Sequence, residues 1–264
     1  MRGRKPTIAS ILASLDNGYI LDGEQAALQD TNDHFLANIQ KNGTYSVVPR
    51  MPGGDVTAEQ LIVIGEIARD HDLYVKVTGG QRIDMLGIKK EDLPAVWADL
   101  GKAGFVSGQA YAKGLRTVKT CVGTDWCRFG TQDSTGLGIR IEKFMWGSWT
   151  PAKLKLAVSG CPRNCAEATC KDIGVVCVDS GFEIHFAGAA GLDIKGTEVL
   201  GLVKTEDEAL EYIVALTQMY REQGHYLERI YKWAKRIGYD EIRRQIMDDP
   251  DKRRAYFDRF VFSQ

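Results

Sequence analysis

Four of the six cysteines form two pairs whose spacing could hold a metal. Five residues separate Cys121 from Cys127, and three residues separate Cys161 from Cys165. Structural zinc sites usually pair their cysteines across two to four residues, so the wider pair fits an iron-sulfur cluster better than zinc. Spacing alone leaves three alternatives open: an iron-sulfur cluster, a zinc site, or reduced thiols without a ligand.

Cys170 and Cys177 lie beside the second pair but outside its spacing. A free cysteine behaves as a small apolar residue, so both are expected to be buried or partly buried. Six cysteines are too few to staple a chain of 264 residues, which argues against a disulfide scaffold.

Two lysines could bind an anion. Lys153 and Lys155 lie on a predicted strand, where side chains two residues apart share a face and stand about 7 Å apart. From the residues alone, the favoured interpretation is a solvated strand edge with Leu154, Leu156 and Val158 facing the core.

The elements that must position these residues change character along the chain. The first half alternates strand and helix, with a capping box at 57–60 opening a helix to about Asp70. The second half has short strands, the clearest at 154–158, 173–178 and 182–186, and a second capping box at 205–208 opens a helical tail. Residues 20–40 are expected to be helical and to lead into Gly43.

Composition excludes several classes of protein. Lys and Arg number 34 against 35 Asp and Glu, so no overall basic field favours nucleic acid or an anionic membrane. The longest apolar runs cover only a few residues, far short of a membrane span. A cytoplasmic protein is therefore expected.

A dinucleotide-binding fingerprint is also missing. Gly136 and Gly138 are not followed by a third glycine at the required position, and Gly188 and Gly191 have the wrong spacing. The sequence therefore predicts no nicotinamide site.

Residues 159–165 read Ser-Gly-Cys-Pro-Arg-Asn-Cys, and after six intervening residues Asp-Ile-Gly-Val begins at position 172. This pattern resembles the signature of the siroheme- and iron-sulfur-containing nitrite and sulfite reductases. Segments 52–54, 76–82 and 115–119 occur upstream in the order that this family shows. The resemblance covers nearly the whole chain and is closest to the carboxy-terminal catalytic part of the NAD(P)H-dependent assimilatory nitrite reductase large subunit.

The resemblance implies a 4Fe-4S cluster held by four cysteines, with the Cys165 thiolate also bridging to the siroheme iron. The implied cluster ligands are Cys121, Cys127, Cys161 and Cys165. The cations that surround the substrate face of the siroheme in this family are matched by Lys153, Lys155 and Arg116. The resemblance therefore favours a substrate site over a solvated strand edge for the two lysines. The implied activity is reduction of nitrite to ammonia, with sulfite reduction to sulfide as the alternative.

Siroheme carries many carboxylates, so its pocket needs cationic and amide donors. The residues in matching segments are Arg50, Lys76, Thr78, Gln81, Arg82 and Asn164, in addition to Cys165. The chain departs from the sulfite reductases at two places, with Gly79-Gly80 and Val48 where those enzymes carry arginines. Those two substrate contacts cannot be carried over, and a less cationic pocket favours nitrite, with one negative charge, over sulfite.

The predicted fold class is α+β, with a ferredoxin-like half and a mixed-sheet siroheme and cluster half. The expected domains are a helical lead-in at 1–44, the ferredoxin-like half at 45–108, the siroheme and 4Fe-4S domain at 109–200 and a helical tail at 201–264. Two hypotheses that involve no reductase activity stay open: an iron-sulfur electron-transfer module and a zinc-stabilised interaction module.

The resemblance also implies an electron donor. FAD and NAD(P)H would bind a module that precedes this segment in a longer polypeptide, or a separate subunit, and the sequence does not separate the two cases. A homodimer is left open, and neither nucleic acid nor a membrane is an expected partner.

Overall fold

The computed structural model describes residues 36–108 and 113–264, together with the backbone of 33–34 and 111–112. The chain divides into two compact units, one ending at Ala112 and the other running from Lys113 to Gln264. Each has its own apolar core.

The first unit is built on a four-stranded antiparallel sheet with two helices. Its elements are β1 (Asp33–His34), β2 (Asn38–Ile39), β3 (Tyr45–Val47), α1 (Ala58–Asp70), β4 (Tyr74–Thr78), β5 (Arg82–Ile88), α2 (Leu93–Lys102) and β6 (Tyr111–Ala112). The strand order in the sheet is β2-β3-β5-β4, and the helices pack on it through buried apolar side chains such as Ile64, Val96 and Trp97. Strand β1 pairs with β6 outside the main sheet.

The second unit contains a five-stranded mixed sheet. Its elements up to the last strand are β7 (Leu115–Thr120), α3 (Gly123–Trp126), α4 (Ser134–Met145), β8 (Leu154–Ser159), β9 (Ile173–Val178), β10 (Gly181–Phe186), β11 (Ala189–Ala190), β12 (Ile194–Lys195) and β13 (Glu198–Val203). The strand order is β13-β10-β9-β8-β7, in which β7, β8 and β9 are parallel and β10 and β13 complete the sheet by antiparallel pairing.

The helical tail follows this sheet and packs against it. It consists of α5 (Glu206–Gln223), α6 (Ile230–Ile237), α7 (Tyr239–Arg243) and α8 (Pro250–Phe262), with a π-helical turn at Arg244–Asp248. Buried residues of α5 and α6, among them Met219, Tyr220 and Trp233, join the sheet side chains in one core. No helix among the described residues is both long and apolar enough to cross a membrane.

The predicted α+β class, with one antiparallel half and one mixed-sheet half, is confirmed. One local prediction is wrong. The helical lead-in is not present over its described part, where residues 33–34 and 38–39 are strands, and its earlier part lies outside the described residues. Strand β5, which is not predicted from the sequence, forms a hairpin with β4 around Gly79 and Gly80.

The predicted capping box at the start of α1 is present. The Thr57 side chain accepts a hydrogen bond from the Gln60 amide, and the Gln60 side chain accepts one from the Thr57 amide. Each bond satisfies an amide that has no partner within the helix.

We expect Thr57→Ala to lower the free energy of unfolding by about 1 kcal/mol, because it removes the cap from the first turn. Urea denaturation followed by circular dichroism measures the change. Glu66→Ala, in the exposed middle of the same helix, is the control and should leave stability nearly unchanged. Equal stability of the Thr57 variant and the wild type would contradict this role of the cap.

Candidate functional site

The first cysteine pair lies at the end of β7 and in the loop that precedes α4. The Cys121 sulfur accepts a hydrogen bond from the Gly160 amide at 3.0 Å and lies 3.2 Å from the Ser134 hydroxyl oxygen. Burial raises the pKa of the Cys121 thiol, but the hydrogen bonds from Ser134 and from the Gly123 and Gly160 amides outweigh it, and the pKa is lowered. These donors favour a thiolate, which is the form that binds iron.

The second cysteine pair lies in a tight loop directly after β8. Asn164 has a left-handed backbone conformation, with φ of 57°, and its amide donates to the Cys161 carbonyl at 3.1 Å. The Asn164 side chain accepts from Ser159 at 3.2 Å and donates to Thr169 at 2.7 Å. Asparagine tolerates this conformation better than most residues, so it shapes the loop that presents Cys161 and Cys165.

The two cysteine loops also contact each other. The Thr131 amide and hydroxyl both donate to the Gly160 carbonyl, at 2.7 and 3.1 Å, which ties the first loop to the residue before Cys161. Cys161 is buried and Cys165 is exposed, and none of the six cysteines forms a disulfide. The fold therefore joins the two loops that carry the four predicted cluster ligands.

No group of three or more His, Cys, Asp or Glu side chains in the described residues is arranged to hold a metal ion. A 4Fe-4S cluster is larger than one ion, and the donor set of four free thiols near backbone amides suits it. Cys170 and Cys177 are partly and fully buried as predicted, and burial raises the pKa of the Cys177 thiol to about 12.

A side chain at Gly160 would crowd the first cysteine loop. A Cβ atom built there would lie 3.0 Å from the Ser134 hydroxyl oxygen and 3.2 Å from the Cys121 sulfur. We expect Gly160→Ala to displace the sulfur and to weaken iron retention about tenfold, as changes around a metal ligand commonly do. Iron per chain, measured after desalting against a chelator, checks this. Gly196→Ala, whose Cβ would meet open space, is the control. Equal iron in the two variants would show that Gly160 does not constrain the cysteine.

Lys153 and Lys155 stand on the exposed side of β8 and the residue before it, while Leu154, Leu156 and Val158 are buried. The alternation predicted for this strand is therefore present. Neither ammonium group has a hydrogen-bond or ion-pair partner within the described residues. Burial and the neighbouring cations lower the pKa of both lysines.

Arg116 lies on β7 next to these lysines because of a β-bulge. Leu115 pairs with Leu154 and Thr117 pairs with Lys155, so two steps along β7 match one step along β8 and Arg116 is the extra residue. A bulge of this kind redirects a side chain. Arg116 acts electrostatically on both lysines and is among the causes of their lowered pKa values.

The two lysines line a cleft of about 320 Å³ within the second unit. We call it the cationic cleft, because five cationic side chains and only two carboxylates line it. These charged residues are Lys153, Lys155, Lys171, Arg229 and Lys232, with Asp172 and Asp193. Such an excess of positive charge suits a small anion.

The sequence predicts only two charged residues of the cationic cleft, Lys153 and Lys155. Lys171 and Lys232 are not among the predicted site residues, and Arg229 lies in the helical tail, 57 residues beyond its partner Asp172. Asp172 belongs to the Asp-Ile-Gly-Val part of the family signature, which by itself indicates no role for it. The sequence carries no local signal for Arg229, because only the fold brings the tail to β8.

In the first unit the predicted siroheme-binding residues differ in their surroundings. Lys76 is exposed on β4, and the Thr78 hydroxyl donates to the Arg82 carbonyl at 3.1 Å. Gln81 has a left-handed backbone and packs against Gly54, where a Cβ would lie 2.8 Å from that of Gln81.

Two arginines of the first unit behave differently from each other. Arg50 is buried and donates to the carbonyls of Ser107 and Gly108 at 3.2 and 3.0 Å. Arg82 has two buried guanidinium nitrogens, Nε and Nη1, that have no hydrogen-bond partner within the described part of the chain. Buried donors of this kind usually have a partner, so Arg82 fits a carboxylate of a bound group such as siroheme. The cofactor roles of both arginines stay predictions.

Comparison with known proteins identifies the family. The family model described as "Nitrite and sulphite reductase 4Fe-4S domain" matches residues 111–254. The chain belongs to this family. A second model, "Nitrite/Sulfite reductase ferredoxin-like half domain", matches residues 38–103. The resemblance predicted from the cysteine motif is confirmed, and siroheme and a 4Fe-4S cluster are the cofactors of the domain.

Several relatives of this chain are named nitrite reductases. The chain is 45% identical over 247 residues to the nitrite reductase (NADH) large subunit of Escherichia coli strain K12, covering 93% of this chain and 29% of that protein. It is 52% identical to the nitrite reductase [NAD(P)H] of Bacillus subtilis strain 168, covering 84% of this chain and 27% of that protein. The chain thus spans less than a third of these relatives.

Another relative has nearly the same extent as the matching segment. It is the assimilatory-type sulfite reductase of Nitratidesulfovibrio vulgaris strain Hildenborough, 33% identical over 77% of this chain and 93% of that protein. Among solved structures, Mycobacterium tuberculosis NirA matches with a TM-score of 0.75 and 15% identity, over 93% of this chain and 52% of that chain. This likeness shows the shared fold.

Proposed function

We propose that this chain is the catalytic part of an assimilatory nitrite reductase and reduces nitrite to ammonium. The observation that carries the proposal is 45–52% identity, over most of the chain, to proteins named nitrite reductase that use NADH or NAD(P)H. The reaction consumes six electrons and eight protons and yields ammonium and two waters. The chain must therefore accept electrons repeatedly, bind an anion and deliver protons.

Siroheme coupled to a 4Fe-4S cluster supplies the electron-transfer chemistry when bound. Cys121, Cys127, Cys161 and Cys165 would hold the cluster, and the exposed Cys165 thiolate would be shared with the siroheme iron. The hydrogen bonds described above would keep the two cysteine loops together around the cluster.

The cationic cleft would bind the substrate. Among the described residues, the ammonium groups of Lys153 and Lys155 are not engaged in ion pairs, and Arg116 adds a third positive charge beside them. Cations held in a partly desolvated cleft attract an anion more strongly than they would in water. Because their pKa values are lowered, the lysines release protons more readily than an ordinary lysine, which suits a reaction that consumes protons.

Within the first unit, the candidate donors to siroheme carboxylates are Arg50, Lys76, Thr78, Gln81 and Arg82. Arg82 has the best support, because its buried nitrogens lack a partner among the described residues.

Electrons would come from a flavin module that oxidises NAD(P)H, in the same polypeptide or in a partner subunit. A homodimer and a cytoplasmic location are part of this proposal. Each is open to direct measurement.

Sulfite reduction is the second candidate. The relative that supports it is the assimilatory-type sulfite reductase, since this chain covers 93% of that protein. Against it stand Val48 and Gly79-Gly80, which replace arginines expected around sulfite. Sulfite carries up to two charges near neutral pH, so missing cations should disfavour it more than nitrite.

One experiment tests both candidates. The chain is produced together with the siroheme pathway, its visible spectrum and iron content are recorded, and turnover of nitrite and of sulfite is measured with reduced methyl viologen. We expect a siroheme spectrum and faster nitrite turnover. Faster sulfite turnover would reverse the substrate assignment, and iron without siroheme would favour an electron-transfer module.

A further inference from the structure

A single buried carboxylate links three elements of the cationic cleft. Asp172, at the start of β9, has a fully buried side chain. Arg229, the residue before α6, donates from Nη2 to both carboxylate oxygens at 2.7 and 2.8 Å and from Nε to one of them at 3.2 Å. The backbone amide of Lys155 donates to the same carboxylate at 2.8 Å. The strand that carries the lysine is thus tied to the helical tail.

The tail also holds the residues just before the lysines. The Ala152 amide donates to the Tyr220 hydroxyl at 3.1 Å, and the Leu227 amide donates to the Pro151 carbonyl at 2.9 Å. Tyr220 is itself buried and donates to the Glu228 carbonyl. These contacts place the end of α5 and the loop after it against the segment that leads into β8.

Arg229 and Asp172 act on Lys155 in opposite directions. Burial is the main cause that lowers the pKa of Lys155, the cations Lys153, Arg229 and Arg116 lower it further, and Asp172 raises it. Without the guanidinium, the carboxylate would be free to attract a lysine ammonium group. A lysine neutralised in this way would be lost to an anionic substrate.

We propose that Arg229 is a positioning residue for Lys153 and Lys155. By occupying both oxygens of Asp172, it keeps the carboxylate from pairing with the lysines and holds the strand that presents them. The inference deepens the proposed function and rests on it only in taking nitrite as the anion.

The test measures the lysines directly. The full chain, purified with its cofactors and without nitrite or electron donor, is treated with limiting acetic anhydride at one pH. The acetylation of Lys155 and Lys153 relative to Lys235, an exposed lysine on α6, is read by mass spectrometry. Only the neutral amine reacts, so an upward shift of one pKa unit slows acetylation about tenfold.

We expect Arg229→Gln to slow the relative acetylation of Lys155 about tenfold, because the released carboxylate holds the lysine charged. The double variant Arg229→Gln with Asp172→Asn removes that carboxylate and keeps an acceptor for the Lys155 amide. It should restore acetylation to within about twofold of the wild type. Arg236→Gln is the matched control, since Arg236, on α6, binds Glu228 through Nε and Nη2 but does not line the cleft.

Nitrite kinetics supply a second measurement. Arg229→Gln should raise KM for nitrite about tenfold and change kcat by less than about threefold, because the lysines are present but partly neutralised. The double variant should recover most of the lost affinity. A purely structural ion pair would lower the apparent kcat through loss of folded protein, would leave KM unchanged, and would not be rescued by removing the second partner.

Unchanged Lys155 acetylation in a folded Arg229→Gln variant would overturn the inference, as would a double variant as slow as the single one. If Arg229→Gln does not fold, Arg229→Lys replaces it, since lysine keeps the charge but lacks the two-pronged geometry. Acetylation equal to wild type in that variant would equally overturn the inference. The expected acetylation pattern in a chain that fails to turn over nitrite would instead refute the proposed function.

Discussion

Cys165→Ser is expected to remove most of the iron and to abolish the siroheme spectrum and nitrite turnover. The reason is that one sulfur is proposed to serve both the cluster and the siroheme iron, and a serine oxygen is a poor ligand for either. Cys165 is exposed in its loop, so the substitution itself should cost little stability. Iron and labile sulfide per chain and the visible spectrum measure the effect.

Cys177→Ser is the control for this prediction. Cys177 is fully buried on β9, and the raised pKa keeps it a neutral thiol, which is unsuited to binding iron. The serine hydroxyl in an apolar core should lower the melting temperature, while iron content and spectrum stay at the wild-type level. Similar loss of iron in the two variants would refute the assignment of Cys165 as a ligand.

Lys155→Met is expected to lower nitrite turnover about 100-fold with an artificial electron donor, because it removes a positive charge and a proton donor from the cleft. Methionine keeps much of the side-chain bulk, so the siroheme spectrum should stay nearly unchanged. Lys153→Met should act in the same direction. Steady-state rates per siroheme, with the spectrum recorded on the same sample, check the prediction.

Lys235→Met is the matched control, since Lys235 is exposed on α6 and outside the cationic cleft. It should retain wild-type turnover. Undiminished nitrite turnover in a fully loaded Lys155→Met variant would show that the cleft does not bind the substrate through this lysine. A loss of the siroheme spectrum together with activity would move Lys155 from substrate binding to cofactor binding.

The charge of the substrate allows a second measurement. In either lysine variant, the turnover rate with sulfite should fall by a larger factor than the rate with nitrite, because binding of a dianion depends more strongly on each cation. The ratio of the two rates in each variant therefore reports on charge recognition separately from cofactor content.

The sequence by itself determined the local features of this protein. Cysteine spacing with the residues around it was sufficient to identify the family, because ligand motifs depend on short stretches of chain. The capping boxes at Thr57 and Thr205 were found for the same reason, since each involves residues three apart. The alternation that exposes Lys155 follows from the geometry of a single strand.

Only the tertiary structure decided how these features combine. The bulge that places Arg116 depends on the register of β7 against β8, which no local pattern specifies. The helical lead-in was predicted from local spacing, yet residues 33–34 and 38–39 are strands because pairing with β6 and β3 overrides that preference. Arg229 reaches Asp172 because packing of the tail brings together residues far apart in the chain. Such contacts depend on the whole core, so a single sequence carries little trace of them.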